Sequence, residues 1–168
     1  MSTTIRAYVL PAVTTVLGIT AITGGVYALI KPLEAIKPFG LSPPPSSSTR
    51  PSTPQTSISI SSHEEAFQIS VIRAYGIRNV GLGLTILGLT ALWKSSEEVV
   101  VKDAVRKCLG VALGMGAVVG FGDAWIVREF AMSEGVQGQE MKDAEKARRG
   151  HIGAALVILG VRLGLTMG

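Results

Sequence analysis

The stretch SVIRAYGIRNVGLGLTILGLTALW, Ser70–Trp93, reads as an oily helix, yet it carries Arg73, Arg78 and Asn79, the last being the only asparagine of the chain. At 1.5 Å per residue its length exceeds the roughly 20 residues that cross about 30 Å of hydrocarbon. A charge at the centre of such a helix costs about 2.5–3.5 kcal/mol on insertion scales, so it is carried only where it finds a partner or a route to water. The stretch therefore poses two questions: whether the chain spans a membrane, and what its buried polar groups meet.

Outward from this stretch, the apolar residues gather in four blocks. They run from Ile5 to Ile30, from about Ile69 to Trp93, from about Val105 to Val127, and from about Gly150 to Met167. With 168 residues, 47% hydrophobic and 17% charged, and a mean hydropathy of +0.41, the spans leave no room for a second domain. The expectation is an all-α protein: one four-helix transmembrane bundle over residues 1–168. The first block is longer than the roughly 7–15 apolar residues of a secretory signal and lacks an A-x-A site, so it reads as a retained helix. Cys108, the single cysteine, excludes a disulfide framework within one chain.

Between the first two spans lies LSPPPSSSTRPSTPQTSISISS, Leu41–Ser62. Such a tract buries too little apolar surface to offset its ordering entropy, so a disordered loop is expected over 41–62. HEEAFQ, His63–Gln68, follows it, with Ser61 or Ser62 as a natural N-cap of the second helix. Lys94–Lys107 links the second and third spans, its latter half continuing into the third helix. Arg128–Arg149 links the third and fourth as a solvated interfacial turn, within which EMKDAEKARR, Glu140–Arg149, has a helical composition. Gly110 with Gly114, Gly116 with Gly120, and Gly160 with Gly164 and Gly168 form small-xxx-small faces suited to close helix packing or to a homo-oligomer.

A pI near 9.5 and a net charge of +4 would point to nucleic acid in a soluble protein. Here the cations flank the spans, where the lipid bilayer and its anionic headgroups are the natural partners. With 5% aromatic residues and no nucleic-acid module, a nucleic-acid partner is not expected. With the N-terminal side named X and the opposite side Y, the excess of Lys and Arg falls on Y and favours it as cytoplasmic.

Four alternating spans bring the end of helix one, the start of helix two, the end of helix three and the start of helix four together on side Y. Helix two contributes Arg73, Tyr75, Arg78 and Asn79; helix three contributes Asp123, Trp125, Arg128 and Glu129; helix four contributes His151; helix one adds Tyr27 and Lys31. Asp123 lies about one turn inside Val127, about 6 Å from the helix end, so Arg78 or Arg73 is its expected counter-ion. Asp123, Arg78, Tyr75 and His151 are the candidate catalytic residues; Asn79, Arg73 and Trp125 are the candidate substrate-binding ones. Against this stands a structural alternative: an ion pair that sets helix register, an interhelical hydrogen bond from Asn79, an interfacial His151, packing for Tyr75, and Arg73 and Arg128 reaching out to water. Trp93 and Trp125 read as interface anchors at opposite ends. No H-E-x-x-H, C-x-x-C, G-x-S-x-G, phosphate loop or dinucleotide fingerprint occurs, so neither metal nor cofactor is expected.

At IRAYGIRNVGLGLTIL, GFGDAWIV and GHIGAALVI the chain resembles a family of small fungal four-helix membrane proteins described as a domain of unknown function. The resemblance covers nearly the whole chain outside the Ser/Pro tract. Similar proteins accompany polyketide synthases and flavin monooxygenases, and include epoxide hydrolases of aurovertin- and citreoviridin-type pathways. The resemblance implies a membrane-embedded epoxide hydrolase or epoxide-opening cyclase acting on an apolar polyene in an endomembrane, beside those pathway enzymes; it supplies no catalytic motif to carry over residue by residue. A non-catalytic membrane scaffold is the rival expectation.

Overall fold

The computed structural model describes residues 8–37, 57–133 and 137–166, with side chains omitted for 57–64. Five helices follow one another: α1 Leu10–Ile30, α2 Pro32–Ala35, α3 Ser57–Ser95, α4 Val99–Ser133 and α5 Gly138–Thr166. Among the described residues there is no strand. Four helices, all but α2, are long and apolar enough to cross a membrane, as the four hydrophobic blocks require.

Local chemistry sets the helix ends. Pro11 stands in the first turn of α1, where its missing N–H leaves no bond unmade. Pro32 forces Lys31 out of helical geometry, at φ −129° and ψ 63°. The Lys31 N–H closes the last turn on the Tyr27 carbonyl at 2.8 Å. The chain then enters α2, a single turn that the apolar blocks did not announce.

Three boundaries correct the sequence expectations. Helix α3 begins at Ser57, so the last six residues of the expected 41–62 loop are helical and neither Ser61 nor Ser62 is a cap. Beyond Pro54 no proline interrupts the chain until α3 has ended, and a helix can extend backward to that point. Residues 41–56 lie outside the described residues. Helix α4 runs past Val127 to Ser133. Finally, the expected interfacial turn at 128–149 is mostly helix: Glu140–Arg149 is helical as its composition suggests, but as the first part of α5 itself, which opens at Gly138 with φ +65°, a left-handed conformation that costs other L residues about 1–2 kcal/mol.

The long helices pack as two tight antiparallel pairs, α1 with α3 and α4 with α5, which meet more sparsely where α3 lies against α4. The first pair closes through four glycines. A Cβ added at Gly25 would lie 2.5 Å from the Gly76 carbonyl oxygen, and one at Gly83 would lie 2.6 Å from that of Gly18. Both glycine pairs repeat at a seven-residue interval, so two backbone crossings occur on one seam. In the second pair, Gly110 faces Thr166, Gly114 faces Arg162 and Gly120 faces Ala155, whereas Gly160 meets nothing within 4 Å. The expected glycine faces of helix three are thus used, Gly160 is not, and the closest seam is one that the x-x-x spacing missed.

Leu10, Ile86, Leu109, Leu113 and Leu165 form the buried core, with Trp93 packed against it. Trp93 is therefore a packing residue rather than an interface anchor. In the same X half, the Thr90 hydroxyl donates to Thr14 at 3.0 Å, and Thr14 donates to the Pro11 carbonyl at 3.0 Å. Both threonines are buried, and pairing spares each the cost of an unmade hydrogen bond in lipid.

Candidate functional site

The sparse contact between α3 and α4 is where the polar residues of the spans converge. Arg78 on α3 lies 3.6 Å from the Asp123 carboxylate on α4, with 46% and 13% of the respective side chains exposed. The Arg78 guanidinium carbon also stands 4.7 Å from the centroid of the Tyr75 ring, one turn earlier on α3, in cation–π range. Tyr75 and Asn79, four residues apart, lie on one face of α3. From α5, His151 comes alongside α4 at Gly120. Its carbonyl would stand 3.5 Å from a Cβ at Gly120, one turn before Asp123. The same Cβ would stand 3.1 Å from that of Ala155, so α4 and α5 pack closely at this level.

Of the expected site residues, Asp123, Arg78, Tyr75, Asn79 and His151 come together across three helices. The other two do not join them. Arg73 is exposed, one and a half turns from Arg78, and Arg78 is the counter-ion of Asp123. Trp125 turns 69% of its surface outward, because two residues along a helix carry it about 200° around from Asp123. It suits a lipid-facing anchor. Arg128 and Glu129 are exposed as well. Tyr27 and Lys31, assigned to the same cluster from the sequence, are engaged elsewhere: both contact Glu34, at 3.0 Å and 3.3 Å. That acid follows Pro32, beyond the hydrophobic block, and a search confined to the spans passes over it. The bonds from Tyr27 and then Lys31 hold the Glu34 carboxyl below its ordinary range.

The ion pairs differ by place. Asp103 is bound by Arg106 at 2.5 Å and Lys107 at 2.6 Å, and Glu145 by Arg148 at 2.7 Å and Arg149 at 2.8 Å, all within a single helix. Arg78–Asp123 is the one pair among the described residues that joins two spans, and it is the longest. At 3.6 Å the carboxylate is electrostatically matched but not locked in a short bidentate fork. A lone pair of Asp123 stays open to a third group such as water. Among the described residues no three His, Cys, Asp or Glu side chains gather as a metal site. No curated protein and no solved structure matches the chain. A family model does match, over residues 18–165, which takes in the greater part of α1, nearly all of the three later spans and every residue of the cluster. The chain accordingly belongs to the family described as domain of unknown function DUF4267.

Proposed function

We propose that this protein is a membrane-embedded enzyme that opens the epoxide of an apolar, bilayer-soluble substrate, by water as a hydrolase or by an internal hydroxyl as a cyclase. The observation that supports it is the loosely held Asp123 carboxylate, placed beside Arg78, Tyr75, Asn79 and His151 at the seam of three spans. Epoxide opening needs a base for the incoming oxygen and a donor at the ring oxygen, in a site with little competing water. Asp123 takes the proton of the nucleophile as its oxygen attacks a ring carbon. The carbon–oxygen bond breaks, and Arg78 stabilises the developing alkoxide by hydrogen bonding. Tyr75 or His151 delivers the proton that completes the alcohol, so one proton is taken up and one released. Asn79 orients the nucleophile or Tyr75.

A substrate of this class partitions into the hydrocarbon and reaches a seam between helices from the side. Polyene epoxides of fungal polyketide metabolism fit it; a polyketide synthase and a flavin monooxygenase would supply them, in an endomembrane. The test is to express the chain with such enzymes and compare products by mass spectrometry for wild type, Asp123→Asn and no protein. A diol or cyclic ether formed by wild type alone, with the variant still in the membrane, supports the reading. Undiminished turnover by Asp123→Asn overturns it. Labelled water separates hydrolysis from cyclisation.

One observation favours a second reading. The ion pair bridges the sparser of the major helix contacts, which is where a register-setting latch in a non-catalytic scaffold would be needed. Under that reading, replacing the pair together, Arg78→Met with Asp123→Leu, leaves all cellular function intact. Under the enzymatic reading the same protein is folded and inactive.

A further inference from the structure

The part of α5 that precedes its apolar span packs back on the end of α4 through Val127, Ala131, Ala144 and Ala147. Small residues at this contact bring the two helices together past the level of Asp123, at the Y-side end of the bundle. On its outer face is an open groove of about 410 Å³, lined by Met141, Lys142, Glu145, Lys146 and Arg149. At about 100° per residue these five fall within an arc of about 140°. Ala144, Ala147, His151 and Ala155, which face α4, fall on the opposite side of the helix. The groove therefore points away from the bundle.

The same arc continues down α5 into the span. Gly153, Leu156, Gly160 and Leu163 lie on it; Leu156 and Leu163 are exposed, and a Cβ added at either glycine would meet nothing within 4 Å. A basic groove at the Y-side end of the bundle thus runs directly onto a lipid-facing strip notched by two glycines. Of the three acids in this part of the helix, Glu140 and Asp143 fall outside the arc. The third, Glu145, is already bound by Arg148 and Arg149. On the arc, Lys142, Lys146 and Arg149 outweigh it, so the groove presents a net positive charge.

We infer that this face of α5 binds an anionic phospholipid of the Y leaflet. Its phosphate and carboxylate sit among Lys142, Lys146 and Arg149, and one acyl chain lies along Gly153 and Gly160. Charge complementarity selects the headgroup. The continuity of groove and lipid-facing strip selects a whole lipid over a soluble anion.

Native mass spectrometry of the full chain, released from micelles holding equal phosphatidylserine and phosphatidylcholine of matched acyl chains, tests this. Wild type is expected to retain phosphatidylserine in preference. Neutralising each cation should weaken that preference by about fivefold, so Lys142→Gln, Lys146→Gln and Arg149→Gln together abolish it. Lys107→Gln, on side X, should leave it unchanged. The side chains replaced are exposed, and helix content by circular dichroism confirms that each variant is folded. Equal retention of both lipids by wild type would overturn the inference, as would a triple variant that keeps the preference. So would displacement by soluble glycerophosphoserine at the concentration of the lipid.

Discussion

At the scale of single residues, what separates the candidate site from the rest of the polar surface is how its charges are matched. Asp103 and Glu145 are each held by two cations of their own helix at 2.8 Å or less; Asp123 has one partner, on another helix, at 3.6 Å. Asp123→Asn should retain the geometry and lose the base, lowering turnover by about 10²–10⁴-fold, the usual contribution of general base catalysis. Product formation with the protein level held equal checks this. Tyr75→Phe should lower turnover less if His151 also donates, and His151→Gln measured beside it apportions the role. Glu34 makes a separate prediction. Its carboxyl is held below the ordinary value by the Tyr27 hydroxyl and then Lys31, so its contribution is fully present above the unfolded value near 4.5. It is lost as pH falls through the depressed folded value. Thermal unfolding in detergent should therefore show Glu34→Gln weaker than wild type at neutral pH, with the difference vanishing in acid.

Among the helices, the two antiparallel pairs rest on different devices. The α1–α3 seam depends on backbone approach at Gly18, Gly25, Gly76 and Gly83. A side chain at Gly25 or Gly83 would press on a carbonyl oxygen of the facing helix within 2.6 Å, which no flexible group can relieve. Gly25→Val should destabilise the protein by about 1–3 kcal/mol, as overpacking does, read from the unfolding midpoint in detergent. Gly24→Ala is the matched control. No atom comes within 4 Å of its added methyl, and removing a helical glycine should be neutral or stabilising by about 0.5–1 kcal/mol. The heptad-like spacing of these four residues was visible in the sequence. What made them a seam was not, because Gly24, Gly81 and Gly88 look the same in a string of letters and meet nothing.

For the molecule as a whole, four spans and an even number of crossings put Tyr8 and Thr166 on one side, X. The residues between α2 and α3 and between α4 and α5 then share side Y with the candidate site. Tags in 41–56 or 134–136 should react together with a membrane-impermeant reagent on sealed microsomes whose cytosolic face is outward, and tags next to residue 8 and residue 166 should not. The reverse pattern inverts the orientation read from the Lys and Arg excess; a mixed pattern refutes the four-span topology.

The number of spans, their alternation and the gathering of polar residues on one side were all determined by the sequence. Hydrocarbon thickness fixes how many apolar residues make a span, and connectivity alone then assigns each span end to a side. Arg78 and Asp123 could be matched from depth along the helix axis, a property that is linear in sequence. Rotation about the axis is not linear in that way. Whether Trp125 turned into the site or out to lipid, whether Arg73 or Arg78 met Asp123, whether Trp93 anchored or packed, and which glycines touched depended on how each helix is rolled against its neighbours. Only tertiary packing sets that angle, because many weak contacts along a whole interface decide it together.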